Sequence, residues 1–173
     1  LALASRQGQK DANLALETLR DLFTIDLLPQ QRRLKFFHEQ PWIISYTTAT
    51  QSPHRSTIPP LHPYRSQPKP EVLALMYLED IIKRSFGRFI DHISDHLQTS
   101  NLEHIKRHRI QLVFDLINKV PEQENNLLVL LINKFGDSNR AIVSKVQFQL
   151  EKLVKHTPSL KLTIVKEIER IIF

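Results

Sequence analysis

The sequence predicts an all-α fold, and three observations predict it. Apolar residues recur at three- and four-residue steps along most of the 173 residues, the period of helices with one buried face. Proline outnumbers glycine ten to three and borders the apolar runs, the pattern of helices with abrupt ends and few tight hairpins. The last third also repeats itself. EHIKRHRIQLVFDLINKV, a Pro121-Glu122-Gln123-Glu124 turn and NNLLVLLINKF are followed, after Gly136-Asp137, by NRAIVSKVQFQLEKLVKH, a Thr157-Pro158-Ser159 turn and LKLTIVKEIERIIF. A shift of about 37 residues sets Val113 on Leu150, Leu116 on Leu153, Ile117 on Val154 and Pro121 on Pro158. It also sets Leu127, Leu128, Leu131 and Phe135 on Ile164, Val165, Ile168 and Ile172. Periods of this length belong to stacked helix pairs, so the expected architecture is a HEAT/armadillo-like α-solenoid segment with a Pro-rich extended strap.

Residues 1–38 are read as N-terminal helices of the solenoid. Ala12, Leu16, Leu19, Phe23 and Leu27 share one face of a helix that Asp11 is placed to cap. Pro29 ends it, since the residue before a proline is driven out of α geometry. In the basic stretch Arg32-Arg33-Leu34-Lys35-Phe36-Phe37, Leu34 and Phe37 can face a neighbour while the cations point outward.

Residues 39–70 carry Pro41, Pro53, Pro59, Pro60, Pro63, Pro68 and Pro70 with no sustained period. Fixed φ angles and missing N–H donors favour an extended linker or insertion, its start pinned by Trp42, Ile43, Ile44 and Tyr46. So long a connection without elements is uncommon in a compact domain.

Helical repeats fill residues 71–173. A long helix over 71–98 has a wide apolar stripe of Leu73, Met76, Tyr77, Ile81, Phe86, Phe89, Ile90, Ile93 and Leu97, with Gly87 marking a close crossing or a kink. Hairpins over 101–135 and 138–173 follow. Asp137 or Ser138 is expected to cap the helix after it, and Pro121 and Pro158 to sit in first helical turns. Neither hairpin can bury its apolar face alone, so stacking supplies the core. The closing Ile171-Ile172-Phe173 and a first residue other than Met suggest a fragment of a longer protein.

Composition narrows the chemistry. There is no cysteine, hence no disulfide, thiolate metal site or thiol nucleophile, and a reducing compartment is the default. The longest apolar run, Leu127 to Ile132, falls far short of the roughly 20 residues of a membrane span, and Leu1-Ala2-Leu3-Ala4 is too short for a signal-peptide core. The glycines, Gly8, Gly87 and Gly136, are isolated, so no phosphate-cradling loop exists. No nucleophile is set on a strained turn beside a base. The expectation is therefore no enzyme, no cofactor, no small-molecule substrate and no membrane partner. His92 with His96 and His104 with His108 have ligand spacing, Asp91 and Asp95 being near. Lacking a cysteine or a Glu-containing motif beside them, they read better as polar-face residues than as a zinc site.

A net charge of +6 favours a polyanionic partner. Three groups are candidates for RNA contact: Arg32, Arg33 and Lys35; Lys106 and Arg107; and Lys145, Phe148, Lys152 and Lys155. In the last group Ile142, Val146, Leu150 and Leu153 point inward, so the lysines surround an outward aromatic. That arrangement suits a phosphate backbone with one unstacked base. The competing reading packs Phe148 on a neighbouring repeat and leaves the lysines solvated. Arg109 falls on the inner side of its helix and reads as structural.

Three stretches, ALETLRDLFTIDLLP with the basic segment after it, KVPEQENNLLVLLINKFGDSNR and VKEIERIIF, resemble the CCAAT/enhancer-binding protein zeta family, the nucleolar-complex family of large-subunit ribosome assembly factors. The likeness covers nearly the whole chain except the strap. Ser100-Asn101 stands where the family has Asp-Pro, and one residue is added around Gln30-Gln31. The resemblance implies a HEAT-repeat scaffold of the nucleus and nucleolus that binds precursor large-subunit (60S) rRNA, a second nucleolar-complex assembly factor and other pre-ribosomal proteins. Its rivals are a protein-only HEAT adaptor and a transcription co-regulator, the role in the family's older name. Nothing in the chain resembles a groove-reading helix or zinc finger, so the cations are expected to hold phosphates without reading sequence.

Overall fold

The structure, a computed structural model, describes residues 9–44 and 69–172. Most of the Pro-rich strap, Tyr46 included, and Phe173 lie outside the described residues. Among the described residues every regular element is helical. Helix α1 spans Gln9–Asp21 and runs into a π-helical turn, Leu22–Leu27. Helix α2 spans Pro70–Thr99, α3 Glu103–Lys119 and α4 Glu124–Ile132. A 3-10 turn, Asn133–Gly136, leads to α5, Arg140–His156, and Pro158–Leu160 leads to α6, Lys161–Ile172.

The chain divides into two compact units, one joining the segment up to Arg33 with Phe86 onward, the other running from Leu34 to Ser85. In the first, α1 buries Ala12 and Leu16, and the turn after it buries Phe23. The Phe23 ring meets Phe86 edge-on at 5.2 Å and stacks on Phe89 at 5.4 Å. Such pairs add about 0.5–1.5 kcal/mol beyond area burial. Helix α2 runs unbroken through Gly87. A Cβ there would lie 3.7 Å from Gln123 Nε2, ordinary contact, so this glycine marks no enforced close crossing.

The two hairpins stack, α3 packing on α5 and α4 on α6. Their register follows the internal period: Asn139 donates to Glu103, Lys145 to Gln111 and Gln149 to Gln111, across separations of 36, 34 and 38 residues. At the corner between them Lys134 Nζ donates to the Leu97 carbonyl, 2.8 Å away at the end of α2. The caps differ from the expectation. Asp137 is taken up by Lys106 and by the Asn139 amide, so Asn139, not Asp137 or Ser138, caps α5 by accepting from Ala141 N–H at 2.9 Å. Pro158 opens its 3-10 turn as expected. Pro121 stays outside the helix, because Gln123 adopts a left-handed φ of 58° before α4 begins at Glu124.

In the smaller unit the apolar stripe read along α2 is not a buried one. Tyr77 and Ile81 are exposed, and Asp80 is buried at 4% exposure. Carboxylates hold the neighbouring segment together with an edge-on contact of the Phe37 ring with Tyr77, centres 6.4 Å apart. Asp80 accepts from the Phe37 amide at 3.1 Å, and Glu79 accepts from the Lys35 amide at 3.0 Å and the Gln40 side chain at 3.1 Å. Leu34 is buried as expected.

Candidate nucleic-acid interface

The structure treats the three groups of cations differently. Arg32 is exposed and donates to the Arg33 carbonyl. Arg33 turns back on the larger unit, its guanidinium 3.2 Å from the Glu124 carboxylate and donating to the Pro121 carbonyl at 3.1 Å. Lys35 belongs to the smaller unit and is exposed. Arg33 therefore braces the turn between α3 and α4.

Lys106 and Arg107 part company. Arg107 is half exposed and pairs with Glu103 one turn earlier, at 2.8 Å. Lys106 points at Asp137, 2.6 Å away, with side-chain exposures of only 15% and 4%. Burial alone would push the Asp137 carboxyl up. The Lys106 hydrogen bond, the Asn139 amide and the charges of Lys106 and Lys134 outweigh it and hold the carboxyl below its ordinary range. Lys134 is pushed down by its own burial. The adjacency of Lys106 and Arg107 in sequence hid this, since neighbours on a helix point about 100° apart.

On α5, Ile142, Val146, Leu150 and Leu153 are buried, as the period requires. Phe148 is 52% exposed, with Lys152 Nζ 4.8 Å from its ring centre. That cation–π contact is worth about 0.5–1 kcal/mol at an exposed site. Lys155 is exposed in the last turn, where its charge also suits the helix dipole. Lys145 lies to one side, its ammonium donating to Gln111 Oε1 at 2.8 Å. The outward cluster is thus Phe148 and Lys152, with Lys155 one turn on. Exposed Arg140, Lys161 and Lys166 add cations to the same hairpin. The sequence pointed to them only through the polar faces of α5 and α6.

The two histidine pairs are placed differently. His92 and His96 meet edge-on, ring centres 4.5 Å apart, and burial, then the nearby His92 and Arg109, lower the His96 pKa. His108 lies between Glu17 at 2.6 Å and Arg109 at 2.9 Å, and His104 is exposed. Among the described residues no group of three or more His, Cys, Asp or Glu is placed to hold a metal. Arg109 is 1% exposed, and its buried Nε has no hydrogen-bond partner among the described residues.

No family model matches the chain. Individual proteins do, along its whole length. An uncharacterised protein of Schizosaccharomyces pombe is 32% identical over 173 residues, 100% of this chain and 18% of its own length. CCAAT/enhancer-binding protein zeta of Mus musculus is 29% identical over 174 residues, 100% of this chain and 15% of its own length. Ribosome biogenesis protein NOC1 of Chaetomium thermophilum is 29% identical over 171 residues, 98% of this chain and 16% of its own length. The chain therefore spans less than a fifth of each relative.

Proposed function

We propose that this chain, a homologue over its full length of CCAAT/enhancer-binding protein zeta and of Ribosome biogenesis protein NOC1, serves ribosome assembly as a non-enzymatic scaffold segment. The likeness to a relative named for ribosome biogenesis carries the reading. In it, the segment is part of a nucleolar α-solenoid on early large-subunit precursors, bound to precursor rRNA, a second nucleolar-complex factor and other pre-ribosomal proteins. Lys152, Lys155, Arg107, Arg32 and Lys35 supply phosphate contacts without base readout, their exposure supporting the role. Arg33, Lys106 and Lys145 serve chiefly to brace the helices.

The test is binding of single-stranded precursor rRNA fragments against salt concentration. Each phosphate contact contributes a slope of about 0.7 in log affinity against log salt. Lys152→Glu with Lys155→Glu is expected to weaken binding and reduce that slope. An affinity indifferent to salt would overturn the electrostatic part. A second reading, a protein-only adaptor, draws on the intramolecular engagement of Arg33, Lys106 and Lys145. It predicts that the same charge reversals leave incorporation into pre-ribosomes unchanged.

A further inference from the structure

Helix α2 carries a glycine that the fold does not require. Gly87 stands well inside the helix, where glycine is weaker than alanine. A Cβ there would meet Gln123 Nε2 at 3.7 Å, so the neighbours would accommodate a methyl group. The missing side chain opens instead onto a groove of about 330 Å³ between α2 and α4. Gly87, Asp91 and Ser94 line it from α2, spaced four and then three residues apart and so on one helix face. Gln123 and Asn126 line it from the start of α4, and Leu130 adds apolar surface.

The polar groups of this groove are fixed in place but not used up. Gln123 adopts a left-handed φ of 58°, uncommon for a residue other than glycine. Its Oε1 accepts from Asn126 Nδ2, while its Nε2, the atom beside Gly87, donates to no described residue. Asp91 is exposed and forms no ion pair among the described residues. Among the described residues that line the groove it is the one charged side chain, and exposed Asp95 stands one turn further along. The groove is thus locally acidic in a chain of net charge +6.

We infer that this groove binds an extended, basic segment of a second protein, its main chain running over Gly87 and a Lys or Arg side chain paired with Asp91. Main-chain carbonyls of such a segment need donors, and Gln123 Nε2 supplies one. The bare backbone at Gly87 lets a main chain come close enough to reach it. The carboxylate of Asp91 selects the cation by charge complementarity. Nucleic acid does not suit the groove, because Asp91 and Asp95 would repel phosphate. A metal ion does not suit it either, since no group of three or more His, Cys, Asp or Glu among the described residues is placed to hold one. The groove and the phosphate contacts on α5 are separate surfaces, so either reading can fail without the other.

The test places a photo-crosslinking residue at position 98, where exposed Gln98 donates to Ser94 Oγ at the groove. The protein is illuminated in its native assembly, and crosslinked peptides are identified by mass spectrometry. Crosslinks are expected on a Lys- or Arg-bearing segment of another protein. Asp91→Lys and Gly87→Ala should each lower their yield by about tenfold or more. Gly87→Ala separates binding from folding, since it should raise the urea midpoint while it blocks the groove. Changing the mapped cation of the bound segment to Glu should restore the yield with Asp91→Lys, which a merely structural role for Asp91 would not allow. A yield no higher than from the same crosslinker at exposed Ser144 would overturn the inference. So would crosslinks to nucleotides, to the same polypeptide or to a second copy of it, full yield in Gly87→Ala, or failure of the charge swap.

Discussion

Replacing Asp137 by alanine should be among the most damaging single changes to the hairpin stack. The side chain is 4% exposed and accepts from Lys106 Nζ at 2.6 Å and from the Asn139 amide at 3.0 Å. Hydrogen bonds to charged groups net about 1.5–3 kcal/mol each. Removing one partner of a buried pair costs about 3–5 kcal/mol through the charge left behind. Lys106 keeps 15% exposure and can recover some hydration, which argues for the lower end, about 3 kcal/mol. Lys106→Met should cost less, about 2 kcal/mol, since the carboxylate keeps the Asn139 amide and nearby Lys134. The pair Lys106→Met with Asp137→Ala should be about 1–2 kcal/mol less destabilised than the sum of its parts, because no lone charge remains. Urea unfolding followed by far-UV circular dichroism, with m-values compared across the cycle, measures all four corners. A single substitution at Asp137 within about 0.5 kcal/mol of wild type, or strict additivity in the cycle, would refute the assignment of this pair as the joint between hairpins.

The same pair fixes a pH dependence. The folded Asp137 carboxyl lies below its ordinary value of 3.8, so its contribution is fully present above the unfolded carboxyl's pKa and lost as pH falls through the folded one. The stability gap between wild type and Asp137→Asn should stay level from neutral pH to about pH 5 and close below about pH 4, as read by urea titrations at stepped pH. Phe23→Ala removes the ring between Phe86 and Phe89 and should cost about 3–5 kcal/mol, measured the same way. Arg109→Met should change stability by less than about 1 kcal/mol, because a buried guanidinium with an unpartnered Nε returns little of its desolvation cost; a loss above about 3 kcal/mol would show that it is well satisfied. Asn139→Ala should cost about 1 kcal/mol as a lost N-cap, and Asn139→Ser should restore most of it.

The helical class, the hairpins and their offset were legible because all three follow from periodicity: Leu116 and Leu153 are buried a repeat apart. Where polar groups decide, the pattern misled. The stripe through Tyr77 and Ile81 has the spacing of a buried face, but Glu79 and Asp80 on the adjoining face capture backbone amides and turn that face inward. Counting apolar positions cannot register a bond between a carboxylate and an amide some forty residues away. Lys106 was read as a surface cation for a similar reason. Its partner Asp137 is 31 residues distant and meets it only once the hairpins stack. Phe148 and Lys152 needed only helix geometry on one element, so their outward placement was predictable.

The Lys-Phe-Gly-Asp string that gave the sequence much of its family likeness is a hinge-pin, clasping α2 through Lys134 and α3 through Asp137. A change within this string would alter how α2 and α3 are spaced and angled at the corner, while leaving Phe148 and Lys152 on the outer face of α5 as they are.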